Sequence, residues 1–440
     1  MNSQATLVEE VPQQSVGSEV TLSGFVHAIR KLGKIAFVLL RDRSGIIQLI
    51  ADNEALVAQV SGLGLETPVR VTGRVAAAQS NGKPASNEIH LISVEPLSAS
   101  RETIPVEVNK SSKVDSLSLS AMLDYRPLTL RAEKVRAVFK LEAEFCRAFR
   151  EFLTGQQFTE IHSPKLVATG TEGGAALFAV DYFGKKAFLA QSPQFYKQMM
   201  VGVFERVFEI GPVYRAEEHD TTRHLNEYIS MDFEMGFIES EQDVMAMQVK
   251  LLQHMFASVR ENCEHELALW GATVPVFSQI PQLTLEEAHT LLRTKLGWKR
   301  PADAESLDLD ADAEKLLCEH FQTAEDVPLV YVTSYPKDVR PFYAMPTAEG
   351  MTHSFDLLYN GLEITTGGQR IHEYEQLVGS IAARGMNPAD FGDYLQCFKY
   401  GMPPHGGLAI GLERLAKQLL GLPNVKLASL FPRDRNRLTP

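Results

Sequence analysis

Three features of the sequence predict an α+β protein built in two parts. Short apolar or β-branched segments separated by turn residues fill residues 20 to about 97. A polar stretch follows, and beyond residue 131 helical patterns alternate with strands that lack regular βαβ spacing. Asn-Gly between the apolar arms of DLLYNGLEIT is a tight-hairpin signal and favours an antiparallel sheet flanked by helices. The 440 residues leave room for roughly two to three domains. The boundaries drawn from these shifts are 1–104 for a barrel, 105–130 for a linker and 131–440 for the larger domain.

Taken in order, EVTLSGFVHAI, IAFVLLRD, GIIQLIAD, PVRVTGRVAA and EIHLISVEPL read as strands. About five strands in ~80 residues suit a small barrel such as an OB-fold, a common oligonucleotide binder, and equally an SH3-like barrel. VNKSSKVDSLS, from Val108 to Ser118, is polar and offers little to a core. Between Arg131 and Leu153, Val135, Val138, Leu141, Phe145, Phe149 and Phe152 recur at spacings of three and four, which predicts an amphipathic helix with Gly155 as its C-cap. YRAEEHDTTRHLNEYISMDFEMGF, from Tyr214 to Phe237, passes from a charged loop into strict alternation. Ile229, Met231, Phe233, Met235 and Phe237 form one face, and Ser230, Asp232, Glu234 and Gly236 form the other. Near the end, HGGLAIGLERLAKQLLGL reads as a small-residue strand entering a helix, with Leu412, Leu415 and Leu419 in one stripe and Arg414 off it.

Composition narrows the class. The chain is 45% hydrophobic and 22% charged, ordinary for a globular protein. Cys146, Cys263, Cys318 and Cys397 are scattered without a CxxC pair, as in reduced cytosolic proteins. The opening MNSQATLVEEVPQQ lacks the basic and apolar regions of a signal peptide, and no apolar run of ~18 residues occurs, so a cytoplasmic protein without a membrane span is expected. The net charge of -12 argues against a coat of nucleic acid but allows RNA to be gripped through a local basic surface.

The common signatures GxxxxGK[ST], HExxH, GxSxG and a helix-opening GxGxxG are absent. Arginines and carboxylates on strands recur instead, which suits chemistry run by positioning and charge neutralisation on a nucleotide phosphate. In RVFEIGPVYRAE, alternation predicts that Arg215 and Glu217 share a face; a solvated hairpin with surface ion pairs has the same pattern. In FDLLYNGLEITTGGQR, Asp356 and Glu363 lie on opposite hairpin arms, and with the Thr366 hydroxyl they are hard oxygen ligands for Mg²⁺; an ordinary polar hairpin also fits. Gly411 permits close backbone approach at the strand-helix turn before Arg414.

In this order the motifs resemble those of class II aminoacyl-tRNA synthetases. FTEIHSPK after the long helix is similar to that family's first motif, the Arg-x-Glu strand pair to its second, and GLAIGLER to its third, with Ala409 in place of the middle glycine. Neither HIGH nor KMSKS, the marks of the other synthetase class, occurs. TEGGAALF, QSPQFYKQ, RAEEHDTTRHLNE, EITTGGQRIH, YGMPPHGG and LFPRDRNRLTP extend the resemblance to archaeal-type aspartyl-tRNA synthetases over essentially the whole chain.

The resemblance implies an N-terminal OB-fold anticodon-binding barrel and an active site floored by an antiparallel sheet. ATP would be held by Arg215, Ala216, Glu217, Arg223, His224, Leu225, Tyr228, Glu363, Gly411, Leu412, Glu413 and Arg414, with Tyr228 beneath the adenine and Arg223 and His224 at the terminal phosphates. L-aspartate would be held by Glu172, Gln194, Phe195, Tyr196, Lys197, Arg215, Asp232, Thr366 and Arg370, with Asp232 on the ammonium group and TEGGA as a lid. Mg²⁺ would sit on Asp356, Glu363 and Thr366. Aspartate would attack the α-phosphorus and release pyrophosphate, and the aspartyl group of the resulting adenylate would then pass to the 3′ end of tRNA as AMP leaves.

The motifs are similar to those of asparaginyl-tRNA synthetases as well, which is the rival reading. Lys197, with Arg370, favours a substrate carboxylate, because a buried cation without an anion is costly. An adenylate-forming relative that charges no tRNA fits less well, since such proteins lack the barrel. Phe37 and Gln48 correspond to anticodon readers, one stacking on a base and one bonding its edge; Phe37 as barrel core is the competing placement. His27 and Pro84 stand where strict archaeal enzymes resemble one another in having Trp and Lys, so charging of both tRNA(Asp) and tRNA(Asn) is expected, with strict tRNA(Asp) charging as the alternative. The long helix and the segment to Pro164 would form a homodimer interface, since its six large apolar residues exceed what one small domain needs to cover.

Overall fold

The computed structural model describes residues 5–77, 79–80, 83–84, 87–100, 102–171, 176–300 and 308–439. It divides into two compact units, Met1–Ser118 and Leu119–Pro440. The stretch expected as a linker is thus shared between them. It also contributes to packing: Val108 and Val114 are buried in the first unit, and Leu123 and Arg126 in the second.

In the first unit β1 (Glu19–Leu32), β2 (Ile35–Arg41), β3 (Ile46–Ala51), β4 (Pro68–Ala76) and β5 (Glu88–Pro96) close into a barrel in the order β1-β2-β3-β5-β4. Alternation sets its inside: in β4, Val69, Val71 and Val75 point inward while Arg70 and Arg74 are exposed. α1 (Glu54–Ser61), capped by the Asn53 side chain on Leu56 N at 2.9 Å, adds Leu56, Val57 and Val60 to the same core.

In the second unit α2 (Glu133–Gly155) matches the predicted helix. Its cap differs: Gly155 lies within the last turn, and the left-handed position falls to Gln157 at φ 66°. Val138, Leu141, Phe145 and Phe149 are buried with residues of the helix Glu241–Asn262 in the chain's own core. The apolar stripe therefore has an occupant, and the argument that its size requires a second copy does not hold.

The elements that build and flank the main sheet include β6 (Thr159–Glu160), α3 (Gln194–Phe204), β7 (Arg206–Tyr214), β8 (Glu227–Gly236), α4 (Glu241–Asn262), β9 (Gln282–Thr284), α5 (Ala311–Glu325), β10 (Leu329–Thr333), β11 (Ser354–Tyr359), β12 (Leu362–Arg370), β13 (His405–Gly411) and α6 (Leu412–Leu420). The eight strands form one sheet in the order β9-β10-β11-β12-β13-β8-β7-β6. Its six central strands are antiparallel, as expected, while β6 and β9 pair in parallel at the edges. Met231, Phe233 and Met235 of β8 pack on the main core. Phe237 departs from the predicted stripe: the strand ends at Gly236, and Phe237 turns out at φ 58° and is 71% exposed.

Candidate active site

The β11–β12 hairpin turns through Asn360 (φ 48°) and Gly361 (φ 82°), the two positive angles that an Asn-Gly turn supplies. Asp356 stands opposite Thr366, and a bulge follows at Leu357/Leu358. In a regular strand residues three apart face opposite ways; the bulge shifts the phase and brings Glu363 and Thr366 together. The Thr366 hydroxyl donates to Glu363 Oε1 at 2.7 Å. Burial would raise the Glu363 carboxyl, but Arg414 and this hydrogen bond more than offset it, so it lies below its ordinary value. Asp356 is differently engaged: Arg340 grips both its oxygens at 3.0 and 2.6 Å. Two carboxylates and a hydroxyl are hard oxygen donors of the kind Mg²⁺ takes, with Glu363 and Thr366 the better-placed pair. No group of three His, Cys, Asp or Glu side chains suited to a metal occurs among the described residues.

One cavity of about 270 Å³ opens beside this pair, lined by Arg215, Glu217, Arg223, His224, Leu225, Tyr228, Glu363, Gly411, Glu413 and Arg414. Arg215 and Glu217 reach it from beyond the end of β7 at Tyr214, so strand alternation is not what places them. Asn226 does so: its side-chain amide donates to the carbonyls of Arg215 (2.7 Å) and Glu217 (3.0 Å) and folds the loop back. The Arg215 guanidinium lies 5.9 Å from the Tyr228 ring centre. Burial pushes the His224 imidazole below its ordinary value, against the pull of Glu217, with Arg414 and Arg223 adding to the push. Arg223 forms an ion pair with Glu314 of α5. Burial raises Glu314 to about 7 despite that arginine.

On the opposite wall Arg414 donates to the Glu363 carbonyl at 2.9 Å. Both oxygens of Glu413 accept from Ile229 N at 3.0 and 3.1 Å, and burial pushes this carboxyl up to about 8. Gly411 is not in a tight spot, since a Cβ there would meet nothing closer than the Arg414 side chain at 3.7 Å; its lack of a side chain keeps the cavity wall open. Gly407 is the tight position, with a Cβ falling 2.1 Å from Phe233 O. The Leu412 side chain belongs to the core, and Ala216, whose N–H donates to Ala176 O at 2.8 Å, does not line the cavity.

A second cavity of about 370 Å³ shares Arg215, Glu363, Thr366 and Ala409 with the first and adds Gln194, Lys197, Asp232, Arg340, Tyr343 and Arg370. Lys197, Asp232 and Arg370 in it are buried and paired within the fold. Lys197 Nζ lies 3.0 Å from Asp232 Oδ1 and 3.3 Å from Glu234 Oε2, and donates to Leu408 O at 3.0 Å. Arg370 Nε donates to Glu234 Oε1 at 2.9 Å. Lys197 thus already has anions, and its charge alone does not argue for a substrate carboxylate. Asp232 likewise has a cation partner before any ammonium group arrives. Behind the cavity, Gln194 Nε2 and the Tyr394 hydroxyl both donate to Gln198 Oε1, and Gln198 Nε2 meets His405 Nε2 at 2.8 Å. Burial drops His405 to about 4, so this imidazole is neutral. Phe195 packs among Tyr394, Phe342 and Phe391 in a core, and Tyr196 lines neither cavity. Glu172 lies outside the described residues.

On the barrel Phe37 is half-buried and outside the core, and the registers Phe37↔Ile50 and Leu39↔Gln48 put it on the same face as Gln48. Gln48 Nε2 donates to Glu88 Oε2 at 2.8 Å. His27 sits at a bulge in β1, 6% exposed, with Nδ1 3.6 Å from Glu66 Oε1. Pro84 belongs to a two-residue strand, and its side chain lies outside the described residues.

Sequence reasoning missed Arg340, Glu314 and Glu234. Arg340 approaches from a loop and Glu314 from a helix far along the chain. Neither carries a local pattern, although Glu234 stood in the polar stripe of β8.

The geometry defines a synthetase-type cleft, and the chain belongs to the class II tRNA synthetases: residues 118–435 match the family described as tRNA synthetases class II (D, K and N). Residues 20–97 match the OB-fold nucleic acid binding domain. Within that class, the chain is 51% identical over 427 residues to the Aspartate--tRNA(Asp/Asn) ligase of Thermus thermophilus, covering 97% of each chain. The ligase of the same name from Deinococcus radiodurans is 49% identical, with 99% of this chain and 98% of that one covered. Among solved structures, asparaginyl-tRNA synthetase from Pyrococcus horikoshii complexed with asparaginyl-adenylate superposes with a TM-score of 0.90 at 31% identity, covering 100% of both chains. Aspartyl tRNA synthetase from Entamoeba histolytica gives 0.86 at 30% identity, over 99% of this chain and 93% of that one. No helix among the described residues is long and apolar enough to cross a membrane.

Proposed function

We propose that the chain activates L-aspartate with ATP and transfers it to the 3′ end of tRNA(Asp) and of tRNA(Asn). The observation that carries the adenylation is the junction of the two cavities at Arg215, Glu363 and Thr366. A nucleotide in one and an amino acid in the other would bring α-phosphate and carboxylate together there. The full-length relatives named as Asp/Asn ligases support the choice of amino acid and tRNAs.

Arg215 lies where it would neutralise both anionic reactants, and Arg414 covers the nucleotide from the opposite wall. Arg223 and His224 take the terminal phosphates, and Glu217 and Tyr228 the adenine end. Gln194, Lys197, Asp232 and Arg370 form the aspartate pocket. The aspartate carboxylate attacks the α-phosphorus and pyrophosphate leaves; the terminal ribose hydroxyl of tRNA then takes the aspartyl group from the adenylate as AMP leaves, and no protein nucleophile is needed. Glu363 and Thr366, with Asp356 nearby, would hold Mg²⁺, which would supply positive charge to offset that of the phosphates.

Phe37 and Gln48 read the anticodon, and His27 with Pro84 permits either tRNA. The protein works in the cytosol as a homodimer, for which the exposed Leu166, Tyr182 and Phe183 offer apolar surface. Side-by-side charging of tRNA(Asp) and tRNA(Asn) transcripts with labelled aspartate tests the reading. A tRNA(Asn) efficiency more than ~100-fold below that of tRNA(Asp), about 2.7 kcal/mol, would exclude relaxed charging. Pyrophosphate exchange that ran faster with asparagine would overturn the amino acid. A monomeric mass by sedimentation at micromolar concentration would overturn the dimer.

A further inference from the structure

The loop that bears Arg223 and His224 is exposed and charged, yet it is tied down by the C-terminal segment LFPRDRNRLTP and the turn before it. Asn226 N donates to Arg433 O at 2.8 Å, and Val425 N donates to Thr222 O at 3.0 Å. Between these two backbone ties lies Lys426, 7% exposed. Its ammonium meets Asp220 of the loop at 2.6 Å and Asp434 of the C-terminal segment at 2.7 Å. Asn436 donates to the other oxygen of Asp220 at 3.0 Å.

The C-terminal segment is itself anchored. Arg126, fully buried, donates to the carbonyls of Leu427 (3.1 Å), Ser429 (2.5 Å) and Leu430 (2.8 Å). An anchored segment that reaches a charged loop through a buried ammonium as well as hydrogen bonds, including Arg435 Nη1 to the Glu218 carbonyl at 3.3 Å, can fix that loop's position. We infer that Lys426 is a positioning residue for ATP: through Asp220 and Asp434 it makes the C-terminal segment a strap that holds Arg223 and His224 over the terminal phosphates.

The chemistry fits that role. A buried ammonium with one carboxylate from each segment joins them only while both pairs are made, because either carboxylate alone would leave the other unpaired. Burial would depress the lysine, and the two carboxylates more than offset it, so the ammonium stays charged at neutral pH. Asp434, 6% exposed in its side chain, belongs to the fixed side; Asp220, 41% exposed, belongs to the loop. Asp220 is therefore the end that can let go without disturbing a core.

The inference rests on the proposal that Arg223 and His224 bind ATP, so its test reads the loop and the nucleotide separately. The full-length protein is digested briefly with trypsin, and cleavage after Arg223 is followed by mass spectrometry. Pyrophosphate exchange gives KM for ATP and for aspartate. Asp220→Asn and Lys426→Met are expected to speed cleavage after Arg223 about tenfold. They are expected to raise the ATP KM about tenfold while the aspartate KM holds, and Lys426→Arg should restore both. Should Lys426→Met fail to fold, Asp220→Asn on the exposed loop carries the test alone. Cleavage after Arg223 that is unchanged in Asp220→Asn overturns the strap. Faster cleavage with an unchanged ATP KM overturns its role in positioning ATP. If Arg223→Ala also leaves the ATP KM unchanged, the fault lies in the proposed phosphate site and not in the tether.

Discussion

The two halves of the cleft handle charge in opposite ways. In the amino-acid half Lys197 and Arg370 are buried and share Asp232 and Glu234 inside the fold, with side-chain exposures of 0 to 7%. In the nucleotide half Arg223 and Arg414 keep 24 and 27% exposure, and each leans on a single carboxylate. A buried network is neutralised during folding, so it presents a finished shape to a small ligand. Arginines that stay a quarter exposed keep part of their hydration, and under the proposed function their charge is available to phosphates. Substitutions should therefore cost stability and binding together in the first half, and binding alone in the second.

Lys197→Leu is the severest way to break this contrast. It leaves Asp232 and Glu234 buried without their shared cation and should cost about 3–5 kcal/mol of stability. Aspartate activation should be lost with it. Urea denaturation followed by pyrophosphate exchange on the folded fraction separates the two effects. An unaltered denaturation midpoint would mean that the lysine is not part of a pre-formed network.

Arg414→Ala probes the other half. The arginine donates to a carbonyl of β12 but fills no core, so stability should change by less than about 1 kcal/mol. The kcat/KM for ATP should fall about 100-fold, about 2.7 kcal/mol. A large loss of stability would erase the distinction between the halves.

A pH series sharpens it. Glu413, buried beside the nucleotide wall, is raised from 4.5 to about 8. Between those values the folded protein binds more protons than the unfolded chain, so its stability should fall as pH rises through that window. The slope from this group is at most about 1.4 kcal/mol per pH unit. The contribution is fully present below about pH 4.5 and lost above about 8. Glu413→Gln should flatten the slope between pH 6 and 8, as read from denaturation midpoints; an unchanged slope would place the titration elsewhere.

The same contrast explains what could be read from the sequence. The alternation of β8, the Asn-Gly hairpin and the stripe of α2 are local patterns, and each gives an element close to its observed span. The partners of the functional side chains are not local. Arg340 on Asp356, Glu314 on Arg223 and Glu234 on both Lys197 and Arg370 join segments 16 to 136 residues apart. No spacing rule connects them, so the sequence shows Lys197 and Asp232 as charges facing a ligand but not the ion pair that joins them. Stripe size misled in a related way: the apolar face of α2 was legible, but α4, which covers it, could not be matched to it by periodicity.

Phe37→Ala carries the contrast to the barrel and predicts the smallest effect. Phe37 lies outside the barrel core and shares an outer face with Gln48, so it is open to a ligand, as the proposed anticodon role requires. Removing a half-buried ring leaves no core cavity, and the change in barrel stability should fall well below the ~3–5 kcal/mol of a core phenylalanine. If the ring stacks on an anticodon base, its loss should lower kcat/KM for tRNA about tenfold, ~1.4 kcal/mol, near the lower end for base stacking on an aromatic side chain. Aspartate-dependent pyrophosphate exchange proceeds without tRNA and should not change. Transcripts with altered anticodons should lose their disadvantage in the variant, because the discriminating contact is gone. Equal losses for wild-type and altered anticodons would instead assign Phe37 a structural role, and a drop in pyrophosphate exchange would show that the substitution reached beyond the barrel.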